Sequence, residues 1–136
     1  MTRGVPAQAA ISFLSPEWFE ALGAALGQIA VVEEPSIVLG QIVTDVSSAG
    51  GEVRYSIVMG GGRPARLTPH SLDTAEVVLV AAYADALAMA RGEVTGASLL
   101  AAGRIKIRGD AARLVEAAAS VEAVAAAARQ LHRIVT

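Results

Sequence analysis

The sequence predicts an α+β domain: a helical opening, a strand-rich middle and a helix-rich second half. Three observations carry that expectation. Ser15-Pro16-Glu17 begins a stretch of helical spacing, residues 37–59 and 77–80 are rich in β-branched side chains, and from residue 83 the chain becomes alanine-rich with glycines between the runs.

Each element has a local cause. Residues 1–12, with Gly4, Pro6 and no periodicity, are expected to form a flexible arm, and residues 13–136 a single domain. Ser15 offers an N-cap hydroxyl, Pro16 suits the first helical position, and Glu17 sits at the positive end of the helix dipole. Phe19, Leu22, Leu26 and Ile29 then recur on one helical face, and Pro35 breaks the run. Residues 37–46 read as a strand, and residues 48–51 supply a turn. Val53, Tyr55, Ile57 and Met59 alternate with Arg54, Ser56 and Val58, as in a half-buried strand. Gly60-Gly61-Gly62 turns the chain into a short strand near residues 63–67, and residues 77–80 read as a central strand apolar on both faces.

The second half is expected to be mainly helical. Residues 83–91 form a helix with Gly92 just past its end, and residues 95–102 a shorter one closed by Gly103. Residues 104–108 alternate strictly, so Ile105 and Ile107 point inward from a strand while Arg104, Lys106 and Arg108 line its other side. Asp110 caps a last helical region, interrupted where Ser120 would cap a further helix. Its stripe is Leu114, Ala118, Val121, Val124, Ala128, Leu131 and Val135.

Composition narrows the function. The 136 residues are 54% hydrophobic but only 4% aromatic, and mean hydropathy is +0.51. The interior must therefore be built from small and aliphatic side chains, which suits either close helix packing or an unfilled apolar space. The longest uncharged stretch, residues 4–16, is broken by prolines and is too short for a membrane span. A net charge of −2 argues against nucleic acid. The absence of cysteine removes disulfides and thiolate chemistry. A cytoplasmic location is expected, and the wealth of alanine and arginine suggests a bacterial, GC-rich source. His70 lies in a turn-like segment and His132 in a terminal helix, so neither metal nor cofactor is expected. Ser56, Ser71 and Ser98 lack a nucleophile-elbow context, and the triple glycine lacks the lysine of a phosphate loop.

Leu14-Ser15-Pro16-Glu17-Trp18-Phe19-Glu20-Ala21-Leu22, Val53-Arg54-Tyr55-Ser56-Ile57, residues 84–93 and residues 102–110 occur in an order and spacing that resembles the sterol carrier protein-2 family over about residues 13–118. The resemblance implies a mostly antiparallel sheet of about five strands, helices packed against it, and an apolar cavity between the layers. It also implies non-catalytic binding, and transfer, of a sterol, fatty acid, acyl-CoA or phospholipid. The candidate cavity residues are Phe19, Leu22, Leu26, Ile57, Met59, Leu87, Leu99, Leu100, Ile105, Ile107 and Leu131. Arg104, Lys106 and Arg108 are candidate headgroup contacts, or else charges that guard a sheet edge and touch an anionic membrane transiently. A dimerisation or docking module of the same fold, monomeric or homodimeric, and an accessory domain of an enzyme system are the alternatives.

A permanent void would be expensive. About 300 Å³ left empty would cost roughly 7 kcal/mol, against a total stability of about 5–15 kcal/mol. The interior should therefore be occupied or collapse upon itself, and alanine-rich helices suit such movement.

Overall fold

The computed structural model describes residues 11–29 and 32–131. Its elements run α1 (Pro16–Leu26), β1 (Ile37–Val46), a short 3₁₀ turn (Ser47–Ala49), β2 (Gly51–Met59), β3 (Arg66–Pro69), β4 (Val77–Ala82), α2 (Tyr83–Ala90), α3 (Gly96–Ala101), β5 (Ile105–Gly109), α4 (Ala111–Glu116) and α5 (Ala118–Arg129). The five strands form one sheet in the order β3-β2-β1-β4-β5. Only the β1–β4 pairing is parallel; β1–β2, β2–β3 and β4–β5 are antiparallel. The fold is α+β, and the sheet is mostly antiparallel.

The helix ends follow their local chemistry. The Ser15 hydroxyl accepts the Trp18 amide at 3.2 Å, with proline in the first turn. Thr95 accepts the Ser98 amide at 3.0 Å and Asp110 the Ala112 amide at 3.1 Å. Beyond α2 and α3, the amides of Gly92 and Glu93 return to Met89 and Ala88, and those of Gly103 and Arg104 to Leu100 and Leu99. Both helices therefore stop in the paired-carbonyl arrangement that glycine permits. At the end of β2, Gly60 has φ +79°, and a Cβ there would sit 2.6 Å from the Pro35 carbonyl oxygen, so only glycine fits the turn.

Four expectations are corrected. The third strand begins at Arg66 rather than near residue 63, because the glycine turn consumes the intervening residues. β4 is not central: β1 holds that place and β4 lies between it and the edge strand β5. Ser56, expected outward, is 3% exposed. Its β1 neighbour Gly40 lies under Leu72 and Ala75, which cross the outer face of the sheet on the way from β3 to β4. Finally, Ser120 caps nothing. α5 begins at Ala118, and the Glu34 carboxylate accepts the Ala119 amide, the Ser120 amide and the Ser120 hydroxyl at 3.3, 3.0 and 3.1 Å. The buried face of α5 is accordingly Ala117, Ser120, Val124 and Ala127, while Ala118 is exposed.

Ile11, at the end of the expected arm, is half-buried against the main core. Residues 1–10, His132 and Val135 lie outside the described residues.

Candidate functional site

The helix-facing surface of the sheet is built in rows, because side chains alternate between faces and registered strands place them abreast. Ile57, Leu39 and Val77 form one row, at 3%, 3% and 0% exposure. Val53, Val43, Ala81 and Ile105 form another, also buried. Between them runs Tyr55, Gln41, Leu79 and Ile107. Tyr55 is buried, but Gln41, Leu79 and Ile107 are only half-buried although a buried row lies on either side. Among the described residues, this row is thus the least covered of the three. The seam runs from the β5 edge inward to Tyr55 across three strand spacings, about 14 Å.

The inner end of the seam meets an aromatic cluster. Phe13 and Trp18 rings lie 5.0 Å apart, Trp18 and Phe19 5.2 Å, Phe19 and Tyr55 5.4 Å, and Phe13 and Tyr83 5.8 Å. These are all five aromatic residues of the chain. Burial pushes the Tyr55 phenol well above its ordinary pKa, so it stays a neutral hydroxyl.

The candidate residues divide around this feature. Phe19, Leu22, Leu26, Ile57 and Met59 belong to the main core, with Leu87, Ile107 and Leu131 packed against it. Leu99 and Ile105 join Ala81 in a smaller cluster bordered by Leu79, Met89 and Val94. Leu100 is 46% exposed on the outside of α3. Sequence reading did not single out Gln41, Tyr55 or Leu79 as site residues. A glutamine within a β-branched run was the one available signal, and it became informative only once strand register placed it opposite Tyr55.

The pocket lined by Ile29, Val32, Met59, Gly60, Arg63, Ala65, Ser120, Ala123 and Val124 encloses about 10 Å³, the room of a single water molecule. Of the candidates only Met59 borders it. A lipid chain does not fit this pocket as it stands.

The basic strip is divided too. Arg104 pairs with Asp85 at 2.9 Å. Lys106 and Arg108 are exposed on the outer face, opposite Ile105 and Ile107, so the sheet separates them from the interlayer. His70 is exposed, as expected, and its ring lies 5.4 Å from that of Phe19. Among the described residues, no group of His, Asp and Glu is arranged to hold a metal ion, and no helix is long and apolar enough to cross a membrane.

A family model described as the SCP-2 sterol transfer family matches residues 29–121, more than half of the sequence. The chain belongs to that family. No curated protein matches. Among solved structures of the SCP-2 fold, a crystal structure of sterol carrier protein 2 is 21% identical, covering 87% of this chain and 98% of its own, with a TM-score of 0.66. A conserved hypothetical protein of Thermus thermophilus, described as possibly a sterol carrier protein, is 20% identical over 91% and 94%, with a TM-score of 0.65. Palmitated SCP2L2 from Aedes aegypti is 19% identical over 87% and 95%, with a TM-score of 0.59. At these identities the likeness concerns the fold.

Proposed function

We propose that this protein binds a hydrophobic small molecule between its helix layer and its sheet, without catalysis, and delivers it to or collects it from a lipid surface. The observation that carries this reading is the half-exposed row Gln41, Leu79 and Ile107 between two buried rows, in a chain of the SCP-2 sterol transfer family. A ligand entering there displaces aliphatic contacts rather than ordered polar structure, and gains about 25 cal/mol for each Å² of apolar area removed from water. Leu87, Leu99, Ile105 and Ile107 border the seam and would be met first. Phe19, Leu22, Leu26, Ile57, Met59 and Leu131 form the wall beyond, reached as the layers part. Lys106 and Arg108, on the outer face, would meet an anionic membrane rather than the bound molecule. The palmitated relative from Aedes aegypti supports an acyl-sized guest for the fold.

Native mass spectrometry of freshly purified protein, followed by organic extraction, tests the proposal. A mass adduct that extraction recovers as a lipid is the expected result. Protein that carries no lipid and gains no thermal stability from a panel of sterols, fatty alcohols and fatty acids would end the carrier reading.

A further inference from the structure

Arg104 stands just before β5 and continues the alternation of Lys106 and Arg108, but its side chain turns another way. Its Nε donates to both carboxylate oxygens of Asp85, at 2.9 and 3.0 Å, which ties the start of β5 to the first turn of α2. Among the described residues no other side-chain hydrogen bond or ion pair joins α2 to the sheet, and Lys106 and Arg108 form no ion pair. The tie lies at the half-buried end of the interlayer. Leu79, Met89 of α2 and Val94 all pack against the cluster of Ala81, Leu99 and Ile105. Leu87 of α2 and Ile107 both pack against the main core. Lifting α2 would therefore uncover the row of Leu79 and Ile107.

Both partners have an alternative. The Arg104 side chain is 58% exposed and that of Asp85 14%. Asp85 lies in the first turn of α2, whose N-cap residue Ala82 makes no side-chain cap bond, so a released carboxylate still faces a helix start that favours negative charge. Arg104, once free, can join Lys106 and Arg108 in facing phosphate groups, which a guanidinium binds through paired hydrogen bonds. We propose that the Asp85–Arg104 pair is an electrostatic latch that holds α2 over the seam, and that an anionic membrane surface opens it by drawing Arg104 away. The inference rests on the lipid-binding reading above and supplies its regulation: the seam is closed in water and freed where lipid is exchanged. An ion pair with one exposed partner suits the task, because an effect of no more than about fivefold slows opening without preventing it.

The test uses a neutral probe, a pyrene-labelled fatty alcohol, and follows its transfer from the loaded protein to phosphatidylcholine vesicles with and without phosphatidylserine at low salt. Wild-type protein is expected to transfer faster to the anionic vesicles. Asp85→Asn and Arg104→Gln should each raise transfer to neutral vesicles about two- to fivefold, and so narrow the gap between the two vesicle types. Arg104→Lys, which keeps the charge, should retain most of the wild-type behaviour. Hydrogen exchange of the α2 amides in probe-free protein is the second readout. Anionic vesicles should speed it in wild type, and Asp85→Asn should show the faster exchange without them. Neutral-vesicle transfer and α2 exchange that stay at wild-type values in Asp85→Asn and Arg104→Gln overturn the latch. So does an equal rise in Arg104→Gln and Arg104→Lys, since the charge would then play no part. A wild-type protein that takes up no probe ends the lipid-binding reading and this proposal with it; that failure is visible before any variant is made.

Discussion

The two ends of the helix–sheet interlayer are built differently. At the β2 end, α1 lays Trp18, Phe19, Leu22 and Leu26 against Tyr55, Ile57 and Met59, every one of them buried and the rings set edge to face. At the β5 end, Leu79, Leu87, Met89 and Ile107 are half-buried, and Tyr83, one turn before Leu87 on α2, is half-buried too. Interlocked rings leave few ways to repack, whereas aliphatic side chains with spare exposure can shift without opening a void. One end is suited to holding the fold together and the other to giving way. A domain of this size can admit a guest only if the yielding part is not the part that supplies its stability.

The sharpest way to break this comparison is to truncate one leucine at each end. Leu26 is 0% exposed, so Leu26→Ala should cost about 2–5 kcal/mol. Leu79 is half-buried, so Leu79→Ala should cost about 1 kcal/mol. Urea denaturation followed by tryptophan fluorescence measures both. Equal losses would show that the β5 end is as firmly packed as the other, and the seam would no longer be a place where the layers part.

The same contrast explains what could be read from the sequence. Elements whose cause is local were legible: the Ser15-Pro16 helix start, the stops at Gly92 and Gly103, the Asp110 cap, the alternation through Ile105 and Ile107. So was the tight end, because Phe19, Leu22 and Leu26 declare a face by their spacing. The seam was not. Its residues belong to β1, β2, β4 and β5, and only the register of those strands puts Gln41 beside Tyr55 and Leu79. The burial of Ser56 was hidden for a related reason, since it depends on where residues 70–76 cross the outer face. The cap of α5 comes from Glu34, 86 residues before Ser120, and no local pattern announces a partner that distant.

That cap gives a second, smaller test of the firm end. Glu34 fastens the start of α5 to the segment leading into β1, and Arg113 ties α4 to the same place by donating to the Ser36 carbonyl at 2.6 Å and pairing with Glu76 at 3.1 Å. The hydrogen bond from the Ser120 amide, with those from Ala119 and the Ser120 hydroxyl, outweighs burial and holds the Glu34 carboxyl below the usual carboxylate range. A depressed folded-state pKa means that the ionised group stabilises the fold fully above its ordinary value near 4.5, and that this contribution fades as pH falls through the lowered value. Glu34→Gln should therefore lower the melting temperature at pH 7, and the gap from wild type should shrink steadily below pH 4.5. A gap that stays constant from pH 7 to pH 3 would mean the charge plays no part in seating α5.

The smallest effect is expected from the outer face, and it should fall on exchange with membranes rather than on binding. Lys106 is exposed and lies behind the sheet from the seam, so Lys106→Glu should leave both urea stability and affinity for a lipid unchanged. Near an anionic bilayer each lysine or arginine contributes about 1 kcal/mol, or about fivefold in association. Lys106→Glu, alone or with Arg108→Glu, should thus slow transfer of a fluorescent lipid to vesicles rich in phosphatidylserine by about fivefold per unit charge at low salt. The effect should vanish with neutral vesicles or above about 0.5 M salt, where screening shortens the reach of each charge to a few ångströms. Unchanged transfer at low salt would leave the strip as protection for an unpaired sheet edge. A loss of lipid affinity would contradict the placement itself, because a charge on one surface of a five-stranded sheet can reach a guest on the other only if the strands between them have come apart.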